Sequence, residues 1–170
     1  MLEFVPIATV DPAAVEALLD RAFGRDRHGK TAYRLREGIA PIAELSFAAV
    51  EDGALAGTIQ CWPVELTGDD GRVWPLVMVG PVAVEPARQR SGLGKELVHQ
   101  ALDAAVELDL DDAMMLVGDP EYYSRFWGFS TDATAGWQLP GPVERHRLLA
   151  RGPGVPAVAG TLGPRVAVAA

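Results

Sequence analysis

The chain has 170 residues, a net charge of −8 and an apolar fraction of 49%, which together predict a single globular domain over residues 1–170 and exclude a disordered chain. The acidic charge argues against a nucleic-acid surface, and the single cysteine, Cys61, excludes an internal disulfide. Because no apolar stretch approaches about 20 residues and no signal peptide is visible, we expect a cytoplasmic protein without membrane contact.

The first half of the chain predicts a strand, two helices and three more strands. Leu2 to Ala8 reads as a strand, Asp11-Pro12 opens a helix with one apolar stripe, and a second helix is predicted over Lys30 to Glu37. The next three strands, joined by glycine-containing turns at 51–53 and 68–71, are Leu45 to Val50, Ala54 to Leu66 and Val73 to Val84.

The second half predicts a long helix, a short strand and a further helix. Helical spacing predicts that six apolar residues of the long helix are buried: Leu93, Leu97, Val98, Ala101, Leu102 and Ala105. The strand is Met114 to Gly118, and Asp119-Pro120 starts the next helix with a cap residue and a proline at the first position. Less regular strands follow from about Trp137, and segment 151–170 is either a terminal strand or a flexible tail. The order is that of a mixed α/β sandwich.

A basic, glycine-containing loop, Gln89–Lys95, joins the strand ending at Val84 to the long helix. The first N–H groups of a helix have no intrahelical partner, so such a loop forms a seat for an anion such as a phosphate. A nucleotide-triphosphatase loop is excluded, because Gln89 and Glu96 stand where it needs Gly and Ser or Thr. A dinucleotide-binding turn is excluded as well, because Leu97 replaces its third small residue.

The pattern Gln89-x-x-Gly92-x-Gly94 resembles the acetyl-coenzyme A loop of the GNAT superfamily of N-acetyltransferases. The resemblance implies a mixed sheet of about six to seven strands flanked by helices, with the fourth and fifth strands splayed apart. It also implies acetyl-CoA as cosubstrate, transfer of its acetyl group to a primary amine, and cofactor contacts by Val82, Ala83, Val84, Gln89, Arg90, Ser91, Gly92, Leu93, Gly94 and Lys95. A glycine-rich turn that binds nothing is the alternative.

The segment Glu121–Phe129 resembles the GNAT helix that carries a tyrosine shortly before Gly-Phe. In that family the tyrosine hydroxyl lies near the coenzyme A sulfur and protonates the leaving thiolate. The resemblance assigns this role to Tyr123, with Tyr122 as the alternative, because Trp127 looks like one inserted residue. Packing of the aromatic side chains at the edge of a core is the interpretation without a catalytic role.

Several features leave alternatives open. Gly80-Pro81 interrupts the fourth strand, either freeing the backbone of Val82 to Val84 for the cofactor or merely curving the sheet. The general base is unassigned, with Glu44, Glu65 or a water chain as candidates, and no metal site is predicted. His28 is a candidate substrate contact. A catalytically weak acyl-CoA-binding domain and a non-enzymatic interaction domain are the competing functions, and a homodimer is left open. The amine acceptor is not identifiable from the sequence.

Overall fold

Eight strands and four helices make up the described part of this computed structural model, residues 1–89 and 91–166. The strands are β1 (Leu2–Pro6), β2 (Phe47–Glu51), β3 (Ala54–Gly68), β4 (Val73–Val84), β5 (Met114–Val117), β6 (Trp137–Gln138), β7 (Leu148–Arg151) and β8 (Gly160–Pro164). The helices are α1 (Pro12–Phe23), α2 (Thr31–Arg34), α3 (Leu93–Glu107) and α4 (Pro120–Trp127). One sheet has the order β1-β2-β3-β4-β5-β7, with β8 on β3 and β6 on β8. The predicted mixed α/β fold is confirmed, with eight strands rather than six to seven.

The described chain divides into two compact units. The first contains residues 1–28, 41–61 and 80–109, and the second contains 29–40, 62–79 and the chain from 110 onward. Strands β3 and β4 contribute residues to both. The single domain over 1–170 stays a prediction.

In the first unit, β1, β2 and the start of β3 pair antiparallel. The β2–β3 hairpin turns at Asp52 and Gly53, which have φ angles of 52° and 80°. Helix α1 begins where Asp11 accepts a hydrogen bond from the Ala13 N–H at 3.0 Å, and it buries Val15, Leu18 and Leu19 with Ala83 of β4. All six apolar residues predicted for α3 are buried, because helical spacing places them on one face.

In the second unit, β4 and β5 run parallel, as predicted, through the pairs Val77↔Met114 and Met78↔Met115. A ladder of two pairs is short, as a splay of these strands requires. Strand β5 also pairs antiparallel with β7, and β8 pairs antiparallel with the end of β3. Segment 151–170 therefore contains a terminal strand at Gly160–Pro164 rather than only a flexible tail. Residues 167–170 lie outside the described part.

Three elements are shorter than predicted, because a tight turn replaces one of their ends. Strand β1 ends at Pro6, since Ile7–Thr9 forms a 3-10 turn closed by Val10 N–H on the Ile7 carbonyl at 3.1 Å. Strand β2 starts at Phe47, since Ala43–Leu45 forms another such turn. Helix α2 has only one turn, Thr31–Arg34, and the backbone bonds after it change to i+3 spacing up to Ile39.

Candidate functional site

The end of β4 presents the residues that were predicted to line the cofactor. Val82 and Val84 are half-buried, whereas Ala83 is fully buried in the α1 core. This alternation follows from strand geometry, in which successive side chains point to opposite faces. The Gly80-Pro81 pair, which was predicted to interrupt β4, lies just before Val82. Gly80 has a φ of 113°, and its peptide bond to Pro81 is cis. The predicted release of backbone groups at Val82 to Val84 stays a prediction.

Gly92 is the residue at which the loop ends and helix α3 begins. It caps α3 in the left-handed conformation, with φ 85° and ψ 1°, which a residue with a side chain rarely adopts. The first α3 bond that we observe runs from the Glu96 N–H to the Gly92 carbonyl at 3.1 Å. The N–H groups of Leu93, Gly94 and Lys95 precede that bond, so they lie at the end of the helix where the dipole is positive. This is the arrangement that binds an anion.

Gly94 lies where the loop, the helix and the strand meet. A Cβ atom here would lie 3.6 Å from Cγ2 of Val84 and 3.8 Å from Cγ1 of Val82, which are ordinary contact distances. Gly94 has no positive φ angle either. The described residues therefore give no steric reason for a glycine at this position, and the missing side chain leaves the start of α3 open to close approach.

The charges around the loop are partly compensated. Arg88, which directly precedes the loop, binds Glu51 at 2.5 Å. Gln89 and Ser91 are exposed and Lys95 is half-buried, while Arg90, also predicted to contact the cofactor, lies outside the described residues. Glu51 therefore compensates much of the charge that Arg88 brings to the loop.

Helix α4 carries the two candidate tyrosines. Asp119 caps it by accepting a hydrogen bond from the Glu121 N–H at 3.0 Å, as the Asp-Pro pair predicted. The ring of Tyr123 packs edge-on against Tyr122 and Phe129, with centroids 5.0 and 6.2 Å away. Burial raises the pKa of Tyr123 to about 12 and also raises that of Tyr122. Both phenols therefore carry their proton at neutral pH, which suits a proton donor.

Gly118 sets the position of the Tyr123 ring. A Cβ atom at Gly118 would lie 2.6 Å from Cε2 and 3.0 Å from Cδ2 of that ring, closer than side chains approach. Sequence reasoning had placed this glycine only at the end of a strand. Its position directly before the Asp119-Pro120 helix start was the available signal that a close approach lies there.

Ser124 stabilises the C-terminal end of helix α4. Ser124 donates a hydrogen bond from its hydroxyl to the carbonyl of Phe129. Gly128 then ends α4 in the left-handed conformation, with φ 71°. The Ser124 hydroxyl is therefore engaged at the end of the helix. The phenols of α4 are those of Tyr122 and Tyr123.

The candidate bases and histidines stay unassigned. Glu44 is exposed and Glu65 is half-buried. Glu85, at the end of β4, accepts two hydrogen bonds from Arg21, at 3.1 and 2.7 Å. His28 is exposed. Within residues 1–89 and 91–166 no group of three or more His, Cys, Asp or Glu side chains is placed to hold a metal ion.

The model of the acetyltransferase (GNAT) family matches residues 13–129, from helix α1 to Phe129. The chain belongs to the GNAT acetyltransferase family. The predicted enzyme class, an acyltransferase, is thereby confirmed.

Named GNAT relatives cover most of the chain. The uncharacterized N-acetyltransferase YhbS of Escherichia coli K12 is 33% identical over 146 residues, which are 85% of this chain and 77% of that protein. A crystal structure of YhbS from Escherichia coli in complex with CoA has a TM-score of 0.72 and 26% identity, and the match covers 97% of this chain and 89% of that one. A GNAT family acetyltransferase from Brucella melitensis, solved with acetyl-CoA, shares the fold with a TM-score of 0.68 at 23% identity, over 97% and 96% of the two chains.

Two buried polar residues of β3 were missed by sequence reasoning. Thr58 and Gln60 of β3 are buried polar residues in an otherwise largely apolar strand. Their alternate positions within an apolar run were the available signal.

Among the described residues, no helix has the length and apolar character needed to span a membrane.

Proposed function

We propose that this GNAT protein transfers the acetyl group of acetyl-CoA to a primary amine of a small molecule or peptide. The observation that carries the proposal is Gly94, which the described residues do not require to be a glycine for steric reasons. A ligand that approaches the N–H groups of Leu93, Gly94 and Lys95 supplies that reason. The relative YhbS, which was crystallised with CoA, supports the identity of the ligand.

The start of α3 binds the pyrophosphate in this proposal. The N–H groups of its first turn donate to the phosphate oxygens, and the positive end of the helix dipole favours their charge. Gln89, Arg90, Ser91 and Lys95 add polar or cationic contacts. Val82, Ala83 and Val84 offer backbone groups to the pantetheine arm, as the family resemblance implies.

Tyr123 acts as the general acid. The amine nitrogen bonds to the carbonyl carbon of the thioester, the carbon–sulfur bond breaks, and the sulfur leaves with the electron pair. The Tyr123 phenol gives its proton to that sulfur. The proton that the amine nitrogen loses then returns to the phenolate through solvent. A pKa of about 12 keeps the phenol protonated before each turnover.

A catalytically weak acyl-CoA-binding domain is the second candidate. It is favoured by the absence of an assigned base: Glu85, the acidic side chain at the end of β4, is held by Arg21. Such a domain binds acetyl-CoA through the same loop but releases thiol no faster with an amine than without one. Cytoplasmic location and a homodimer also stay predictions.

Steady-state thiol release from acetyl-CoA tests the two candidates. The amines are spermidine, tyramine, kanamycin and the tripeptide Ala-Gly-Gly, and the reaction without amine is the blank. We expect at least one amine to raise the rate well above the blank. Binding of acetyl-CoA with no rate increase by any amine favours the second candidate instead.

Two matched variants test the acid. Tyr123→Phe should lower turnover by about 10²- to 10⁴-fold while coenzyme A affinity stays within a few-fold. Tyr122→Phe should cost much less, because adjacent helix residues point about 100° apart. The opposite ranking would assign the role to Tyr122, and full turnover in both would show that the tyrosines only pack.

A further inference from the structure

Two ion pairs hold the short segment that leads from β4 into the cofactor loop. Glu85, the residue after β4, accepts hydrogen bonds from Nε and Nη2 of Arg21 in α1, at 3.1 and 2.7 Å. Three residues later, Nη1 of Arg88 donates to Oε2 of Glu51 at 2.5 Å. All four residues belong to the first compact unit. The segment is therefore tied to α1 at its start and to β2 at its end.

The backbone of Arg88 connects the second ion pair to the loop. Pro86–Arg88 forms a 3-10 turn, in which the Arg88 N–H donates to the Glu85 carbonyl at 2.7 Å. The Arg88 carbonyl in turn accepts from the Ser91 N–H at 3.3 Å. Ser91 directly precedes Gly92, where α3 begins. A displacement of Arg88 therefore moves the residues that lead into the proposed pyrophosphate seat.

Glu51 is a fixed partner for Arg88. Its backbone pairs with Leu2 of β1 on one side and with Ala54 of β3 on the other. The side chains of Arg88 and Glu51 are 33% and 36% exposed, so water screens the pair only in part. Such a pair contributes little to the stability of a whole fold. It can still order a short loop, and a loop that is ordered beforehand loses less conformational freedom when it binds a ligand.

We propose that the Glu51–Arg88 pair positions the Gln89–Lys95 loop for coenzyme A, an inference that rests on the proposed function. Arg88 acts through the backbone of the loop and is not a ligand of the phosphates, because Glu51 neutralises its guanidinium. Glu51 and Arg88 are therefore positioning residues. The acidic side chain of Glu51 raises the affinity for an anionic ligand, although its charge alone would lower it.

Glu51→Gln separates the positioning role of Arg88 from a role as phosphate ligand. The lost ion pair should weaken coenzyme A binding in calorimetry by about fivefold or more, because the loop must then be ordered on binding. The KM for acetyl-CoA should rise by a similar factor while kcat stays within about twofold, since the change leaves Tyr123 intact. A phosphate-binding Arg88 would instead be released by this substitution, and coenzyme A would bind as well as before or better.

An exchange of the two charges gives a second test. Glu51→Arg and Arg88→Glu should each weaken coenzyme A binding, and the double variant should recover affinity to within about twofold of the wild type, because the pair is restored in reverse. A phosphate ligand could not be restored in this way, since residue 88 would then carry a carboxylate. The melting temperature of Glu51→Gln should stay close to that of the wild type, because a partly exposed pair contributes little to global stability.

Glu96→Gln is the matched control for Glu51→Gln. Glu96 is exposed in the first turn of α3, so loss of its charge should keep or raise the affinity for coenzyme A. Unchanged or raised affinity in Glu51→Gln overturns the inference alone, and so does a double exchange that binds no better than its single variants. If the wild type does not bind coenzyme A, the proposed function fails and this inference falls with it.

Discussion

Gly118→Ala should impair turnover by moving the Tyr123 ring. The added Cβ would lie 2.6 Å from Cε2, and ordinary contact begins at 3.4 Å, so the ring must move by about 0.8 Å. Displacement of a catalytic group by about 1 Å can cost about 10²-fold in rate, and we expect a loss in kcat near that size. Affinity for coenzyme A should stay within twofold, since the substitution changes no residue of the loop Gln89–Lys95.

The assay is steady-state thiol release in four proteins: the wild type, Gly118→Ala, Tyr123→Phe and the double variant. Overpacking also destabilises a fold by about 1 to 3 kcal/mol, so rates are compared well below each melting temperature. Gly163→Ala is the matched control, because a Cβ there meets nothing within 4 Å. The double variant should be no slower than Tyr123→Phe, because both changes act through one phenol. Wild-type turnover in Gly118→Ala, or fully additive losses in the double variant, would refute the reasoning.

Three further predictions concern the loop, the buried phenol and the α1 surface. Gly94→Ala should keep or raise the melting temperature, since Ala favours a helix by up to about 1 kcal/mol over Gly. The same change should weaken coenzyme A binding by about 5- to 150-fold in calorimetry, and unchanged affinity would contradict the assignment of this helix start as the anion site. The pKa of Tyr123 is raised from 10.0 to about 12, so its contribution to stability is complete below pH 10 and lost as pH rises toward 12; pH-dependent melting should show this fall, and Tyr123→Phe should flatten it. Arg27 is 2% exposed and binds Glu16 at 2.5 Å and Asp20 at 3.1 Å. Chemical denaturation should show that the double change Glu16→Gln and Asp20→Asn destabilises the fold more than Arg27→Met does, because the double change keeps the buried charge but removes two carboxylates that neutralise it.

The local signals in the sequence predicted elements whose ends are set by neighbouring residues. Strand β4 spans Val73–Val84 as predicted, because a glycine-containing turn precedes it and Glu85-Pro86 follows it. Helix α3 buries its six predicted residues, because a period of 3.6 residues fixes which side faces the core. The cap at Asp119 formed for the same local reason.

Contacts between distant residues decided the elements that were predicted poorly. The Thr31 hydroxyl donates to the Pro142 carbonyl at 2.6 Å, and Arg34 donates to Pro140 at 2.9 Å, so residues more than 100 positions away hold the short α2 segment. Strand β8 exists because it pairs with β3, whose Leu66 lies opposite Leu162 although the two are about 96 positions apart in the chain. Such partners leave no periodic pattern near the segment itself.

Some residues of the candidate site were predictable from a local motif, whereas contacts with distant residues were not. Gly92 and Gly94 were found from a short motif, because the resemblance to the acetyl-coenzyme A loop fixes their spacing. The pairing of Arg88 with Glu51, 37 positions away, was not visible in that motif. Thr58 is buried opposite Ala48 of β2, a pairing that only the structure shows.

Calorimetric titration with coenzyme A tests most directly whether the start of α3 binds the cofactor. The proteins are the wild type, Gly92→Asp, Gly94→Asp and the control Gly163→Asp. We predict saturable binding by the wild type and the control, and at least about a tenfold loss in each loop variant, because a carboxylate opposes the phosphate charge at the helix N-terminus. Wild-type affinity in both loop variants would contradict the assignment of the Gln89–Lys95 loop as the cofactor site.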